Sequence, residues 1–299
     1  MASPRASDPS GSRGGSDLHE MIDLPGGVFL MGTADEIGFP ADGEGPVRTV
    51  TVDPFRLAAT VVSNDQFAEF VADTGHVTDA ERFGWSFVFH MFLRDDFPET
   101  RAVASSPWWR QVYGASWKNP DGPQSDLTGR SRLPAVHISW DDAQAYCIWA
   151  GARLPTEAEW EFAARAGLVQ KRYVWGDDFA PDGQTMCNIF EGDFPVDNTG
   201  ADGFIGAAPI DSFEPNGFGF YNMAGNVWEW CNDWFSPSFH QTASKENPSG
   251  PDVGTAKVMR GGSYLCHDSY CNRYRVAARS SNTHDSSTGN LGFRVAADA

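Results

Sequence analysis

The chain has 299 residues, with 40 acidic against 22 basic side chains and a formal net charge of −18. That length fits one large domain or two ordinary ones, and so negative a charge argues against nucleic acid or an anionic membrane surface as partner. Cysteine is scarce and odd in number (5), which speaks against a disulfide framework, whereas 31 glycines, 19 prolines and 11 tryptophans are unfriendly to long helices.

Residues 1–16 are Ser, Gly, Pro and charge without a hydrophobic stretch. They read as part of a disordered tail over residues 1–20, with one domain over 21–299. Order is expected from Leu24-Pro25-Gly26-Gly27 into a short strand, Val28 to Met31. Val47 to Val62 alternates well enough for two strands broken at Pro54. A helix follows, capped by Ser63 or Asn64, with Phe67, Phe70 and Val71 on one face and Gly75 at its end. Residues 76–135, which include the Trp108-Trp109 pair, are rich in Trp, Pro and Gly without clear period and read as long ordered loops. Ser139 and Asp142 can cap a helix running to Trp149 and stopping at Gly151. Thr156 and Glu159 form a capping box for another that ends near Gly167. Beyond it turns dominate, as at Asp182-Gly183, Asp202-Gly203 and Gly261-Gly262. The expected class is α+β with low regular secondary-structure content, its loops pinned by aromatic packing and metal ions. No apolar run approaches the roughly 18 residues that a membrane helix needs, and the few, odd-numbered cysteines make a reducing cytoplasm the expected setting.

Among the cysteines, Cys147 lies in an apolar helical stretch and reads as a buried thiol, and Cys187 and Cys231 have no partner at a ligand spacing. Cys266 and Cys271 stand five apart after Gly261-Gly262. This is neither a redox CxxC nor half of a tetrahedral zinc site. Two thiolates with nothing else soft nearby suit Cu(I), but on spacing alone a structural disulfide or two unconnected thiols remain the plainer readings. His267 beside them reads as surface, with a proton carrier as the sharper alternative. A second constellation is rich in oxygen: Asn188-Ile189, Asp202-Gly203-Phe204, and Asn222-Met223-Ala224-Gly225-Asn226-Val227-Trp228-Glu229. Such loops are what Ca²⁺ selects, although Asn and Asp are also ordinary turn formers.

Gly151-Ala152-Arg153-Leu154-Pro155-Thr156-Glu157-Ala158-Glu159-Trp160-Glu161 and Gly225-Asn226-Val227-Trp228-Glu229-Trp230 together resemble the signatures of the sulfatase-modifying-factor (C-type-lectin-like) fold. The segment from Gly261 to Thr283, with Asn290-Leu291-Gly292-Phe293-Arg294 after it, resembles the formylglycine-generating enzymes of that family, and the likeness extends over residues 24–298. The resemblance implies that a cysteine in a Cys-x-Pro-x-Arg segment of an unfolded sulfatase is oxidised by O2 to Cα-formylglycine, with Cu(I) as cofactor and hydrogen sulfide as product. It implies Cys266 and Cys271 as copper ligands, Ser263 as a hydrogen-bonding partner near the copper and Trp228 as a wall of the oxygen pocket. Asn290 and Arg279 would support the peptide groove. It implies two structural Ca²⁺ ions, one on Asn188, Ile189, Asp202 and Phe204, the other on Asn222, Gly225, Val227 and Glu229. Vertebrate members carry disulfides whose positions fall here on Cys147 with Val295 and on Ala164 with Val276, so those bridges cannot form. A monomer is expected. The rival reading from another class is a calcium-stabilised, lectin-like binding module; a non-haem iron oxidoreductase would need a His and carboxylate cluster that the sequence does not offer.

Overall fold

The computed structural model describes residues 18–299; the expected tail lies outside the described residues up to position 17. From position 18 the chain is packed. Leu18 and Met21 lie against the core, the His19 ring is hydrogen-bonded to the Tyr146 hydroxyl at 2.9 Å, and β1 (Met21–Leu24) pairs along its length with a later strand. Order therefore begins earlier than Leu24, because Met21 and Leu24 bury apolar surface that a tail would leave in water.

β2 (Gly27–Met31) and β3 (Arg48–Val52) form an antiparallel hairpin, and β4 (Phe55–Ala58) follows the expected break at Pro54. α1 (Asn64–Thr74) starts with a reciprocal cap: the Ser63 hydroxyl accepts from the Gln66 amide N–H and the Gln66 side chain from that of Ser63. Where loops were expected, the chain builds α2 (Asp79–Phe83), capped by Thr78 and Glu81, then β5 (Trp85–Phe89), β6 (Ala102–Val103) and β7 (Ser106–Tyr113). These strands make an antiparallel sheet in the order β5-β7-β6. β7 carries Trp108 and Trp109 on opposite faces, so no period-2 pattern marks it.

α3 (Trp140–Ala150) and α4 (Glu157–Arg165) start at Ser139 and Thr156 as read; α3 stops at Gly151, and α4 stops at Arg165 with Ala166 in the left-handed region. After α4 come β8 (Gly192–Asp193), β9 (Asp197–Asn198), β10 (Trp228–Trp234), β11 (Lys257–Arg260), β12 (Arg279–Asn282), β13 (Leu291–Gly292) and β14 (Ala296–Asp298). Two sheets organise the domain: β1-β4-β14, which joins the two ends of the described chain, and β12-β11-β10-β13, with β10 and β13 parallel. β10 is buried over four consecutive residues, which is why alternation does not reveal it. Among the described residues no helix is long and apolar enough to cross a membrane.

Charge is buried between these layers. Glu157 and Glu161 of α4 meet Arg260 at 2.6 and 2.7 Å, Glu161 also holds Arg165, and Glu157 holds Arg279. Each guanidinium in that row has a carboxylate, which is the condition for burying such ions at tolerable cost.

Candidate active site

The thiol loop is built by a backbone turn. Gly262 has φ of 75°, and a Cβ there would stand 3.0 Å from the Arg273 backbone, so only glycine lets the entering chain lie against the leaving one. Within that turn the Cys266 N–H donates to Ser263 O at 2.8 Å and the Cys271 N–H to His267 O at 2.7 Å. The result is two sulfurs 3.0 Å apart, hydrogen-bonded and not covalently joined. Cys266 is 1 % and Cys271 5 % exposed.

Their environments differ. Cys271 shares a hydrogen bond with Cys266 and lies 3.7 Å from Nη1 of Arg273, and these bring its thiol down to about 7. Burial, with the neighbouring sulfur, pushes Cys266 well up. A thiol held against a second sulfur and beside a guanidinium has its charged form favoured, the arrangement of an activated cysteine. Arg273 is itself fixed: its Nε meets Asp42 at 2.6 Å, and its guanidinium lies over the Phe39 ring at 3.8 Å. The next pair, Arg275 with Glu44, is bidentate and buried. The segment after β2 is thus bolted to the thiol loop from some 230 positions away.

The sulfurs open onto a cavity of about 170 Å³. Trp228 forms one wall, Ser263 and Asn290 another, and Trp108 and Tyr270 close it with their rings 4.8 Å apart edge to face. Phe194 stacks on Tyr270 at 4.7 Å. Asn290 Nδ2 donates to Ser263 Oγ at 2.8 Å, and the Trp228 N–H to Asn290 O at 2.8 Å. Cys266, Cys271, Ser263, Trp228 and Asn290 therefore come together. Arg279 does not. Its neighbours Ser280 and Asn282 line the cavity, but the Arg279 guanidinium is bidentate to Glu157 at 2.6 and 2.7 Å and reaches Ser236 O. Strand alternation accounts for this correction, since β12 turns odd and even positions to opposite faces. His267 is turned to the surface, with Nδ1 against the Ser269 hydroxyl at 2.8 Å. Cys147, Cys187 and Cys231 are buried, and burial pushes each thiol up.

Sequence reasoning left several cavity residues without a site role: the Trp108-Trp109 pair, now on β7, and Arg273 and Thr288. A charged residue two after Cys271 was the available signal for Arg273. A larger open groove of about 640 Å³, between Arg94 and Gln124, holds no thiol and no cluster of reactive groups.

The oxygen-rich loops also converge. Asn188 and Gly225 bridge as parallel backbone, and the Asn226 side chain ties Ala208 to that junction. Asn188 Oδ1 and Asn222 Oδ1 are buried acceptors with no hydrogen-bond partner, while their Nδ2 atoms donate to Gly206 O and Ile210 O. Asp202 accepts the N–H groups of Ile189 and Phe204, and burial raises its carboxyl. Buried amide oxygens without a donor, and near Asn188 a carboxylate with no cation partner, fit a hard cation. The second set differs in one member. Glu229 is bidentate to Arg294 at 2.6 and 2.7 Å and also accepts Trp160 Nε1 at 2.8 Å, which fills Oε2 and leaves one lone pair on Oε1 for an ion. Among the described residues no three His, Cys, Asp or Glu side chains gather as a metal cluster.

Residues 7–299 match the sulfatase-modifying factor enzyme 1-like domain. The chain is 57 % identical over 295 residues to a formylglycine-generating enzyme of Streptomyces coelicolor, covering 98 % of this chain and 92 % of the relative. It is 44 % identical to the inactive C-alpha-formylglycine-generating enzyme 2 of Mus musculus, covering 93 % and 86 %. The structure of PvdO from Pseudomonas aeruginosa superposes with a TM-score of 0.64 at 24 % identity, covering 93 % and 94 %, a likeness of fold.

Proposed function

The chain belongs to the family of the sulfatase-modifying factor enzyme 1-like domain, and we propose that it converts the cysteine of a Cys-x-Pro-x-Arg segment in an unfolded sulfatase to Cα-formylglycine. The observation that carries this is the sulfur pair: two buried thiols 3.0 Å apart, one of them 3.7 Å from the Arg273 guanidinium, facing a cavity of peptide side-chain size. A merely structural pair of thiols needs neither the cavity nor Arg273.

Two opposed thiolates fit Cu(I), a soft ion content with few ligands, and Cys266 and Cys271 would hold it; when bound it supplies the one-electron chemistry with O2. The chain's own residues prepare that site. Arg273 offsets the negative charge of the Cys271 thiolate. Ser263 offers a hydroxyl beside the sulfurs, and Trp228 and Trp108 exclude water. The cavity admits a side chain but not a folded surface, which supports an extended substrate. Hydrogen sulfide would be the sulfur product. Asn188 and Asp202, with carbonyls of Ile189 and Phe204, would hold one Ca²⁺; Asn222, carbonyls of Gly225 and Val227, and the one free lone pair of Glu229 Oε1 would hold the other. Five unbridged cysteines support a reducing, cytoplasmic setting, and the chain is proposed to act as a monomer.

The second reading, a calcium-stabilised binding module, is favoured by the inactive relative. An oxygen electrode separates the two. Cu(I)-loaded protein should consume oxygen when a Cys-x-Pro-x-Arg peptide is added and not with its serine analogue. A binding module would consume none with either.

A further inference from the structure

We propose that Thr288 is a positioning residue which, through Asn290, sets the direction in which the Ser263 hydroxyl donates; the kinetic part of this rests on the function just proposed. Ser263 Oγ receives two donors, Asn290 Nδ2–H at 2.8 Å and the Leu265 N–H at 3.3 Å. Those fill its lone pairs. Its own O–H is left to point into the cavity that Ser263 lines with Cys266 and Cys271.

That polarity depends on which way the Asn290 amide faces. Turned by 180°, Asn290 would offer its oxygen to Ser263, and the hydroxyl proton would be drawn out of the cavity. As the row stands, Thr288 Oγ1 donates to Asn290 Oδ1 at 2.7 Å, so the amide oxygen is engaged on the far side, and the turn would require the Thr288 hydroxyl to reverse and accept instead. Thr288 cannot drift, because its carbonyl accepts from the His137 N–H at 3.0 Å and the Leu291 N–H at 3.3 Å, and Gly289 N–H donates to Phe87 O at 3.0 Å. The Ser263 N–H in turn donates to Cys266 Sγ at 3.4 Å. A fixed row of hydrogen bonds thus runs from the β5 backbone to the thiol. It presents a preoriented donor in the cavity that both sulfurs line, the kind of group that acts without reorganising.

The test uses three variants of the full chain. Thr288→Val keeps the shape and removes the donor; its kcat on a Cys-x-Pro-x-Arg peptide should fall about 10- to 100-fold, with KM and melting temperature near the parent's. Thr288→Ser, which restores the hydroxyl, should recover most of the rate. A second readout needs no turnover. In protein labelled with nitrogen-15 at asparagine, the Asn290 side-chain amide, assigned by its loss in Asn290→Asp, should exchange hydrogen slowly in the parent and in Thr288→Ser. It should exchange faster in Thr288→Val and in Ser263→Ala. An unchanged kcat in Thr288→Val, equal losses in the Val and Ser variants, or slow exchange kept in Ser263→Ala would each overturn the proposal. If the parent makes no product, the proposed function fails, while the exchange data still decide the row.

Discussion

The most exacting structural prediction concerns Glu229→Gln. Glu229 and Arg294 are both 0 % exposed and joined by two hydrogen bonds of 2.6 and 2.7 Å, with Trp160 Nε1 a third donor at 2.8 Å. The amide keeps the volume but removes the charge, and its NH2 turns a donor toward a guanidinium that has only donors. Arg294 would keep its carbonyl contacts at Ala58, Ala59 and Tyr221, yet no carboxylate would balance it. Breaking a buried pair in this way costs about 3–5 kcal/mol, and at roughly 2 °C per kcal/mol for a chain of this size the melting temperature should drop by about 6–10 °C. Near-ultraviolet circular dichroism on heating reads the loss of packing around Trp160 directly. Added calcium should not restore the full parent value, because a cation cannot replace the carboxylate that Arg294 has lost. A variant that melts with the parent would refute the reasoning, for it would mean that the pair contributes nothing to the folded state.

Three further outcomes are expected. Cys266→Ser and Cys271→Ser should each abolish turnover and Cu(I) retention against a chelator, because a serine hydroxyl stays protonated and is a poor ligand for a soft ion, whereas Cys147→Ala should lower stability through a small cavity and leave kcat intact. Burial, with Glu157 beside it, lifts the Asp233 carboxyl to about 7; the folded state then holds a proton that the unfolded state has lost between about pH 4 and 7, so this group erodes stability as pH rises through that window. Asp233→Asn should therefore melt higher than the parent at pH 8, by a margin that shrinks toward pH 5; a constant margin would show that Asp233 is not the cause. Chelation should lower the parent's melting temperature and do so less in Asn188→Ala, which lacks the orphaned oxygen; equal chelator effects in both would remove Asn188 from any cation site.

The parts of the fold that were legible in the sequence are those written in neighbouring residues. The caps at Ser63, Ser139 and Thr156 form between side chains and amides three positions apart, and each helix begins where they stand. β7 and β10 were not legible: β7 sets Trp108 and Trp109 on opposite faces, and β10 buries Glu229 along with Trp228, Trp230 and Cys231, so polarity marks neither. The same limit explains Arg279, which cannot be assigned to a face until β12 is known to be a strand. In the candidate site, the spacing of Cys266 and Cys271 left disulfide, separate thiols and soft-metal pair open together. The turn at Gly262 and the 3.0 Å sulfur separation narrow that choice. Arg273 acquires its place from Asp42 and Phe39, contacts that no local pattern announces.

The central claim is that this sulfur pair performs cysteine-to-formylglycine conversion, and mass spectrometry of a synthetic peptide tests it most directly. A 14-residue peptide containing Cys-x-Pro-x-Arg, incubated in air with the Cu(I)-loaded parent, should lose its sulfur and gain an aldehyde that a hydrazide probe captures. The same peptide with Cys271→Ser protein should come back unchanged. An unmodified peptide after incubation with the loaded parent, or equal conversion by parent and Cys271→Ser, would contradict the account.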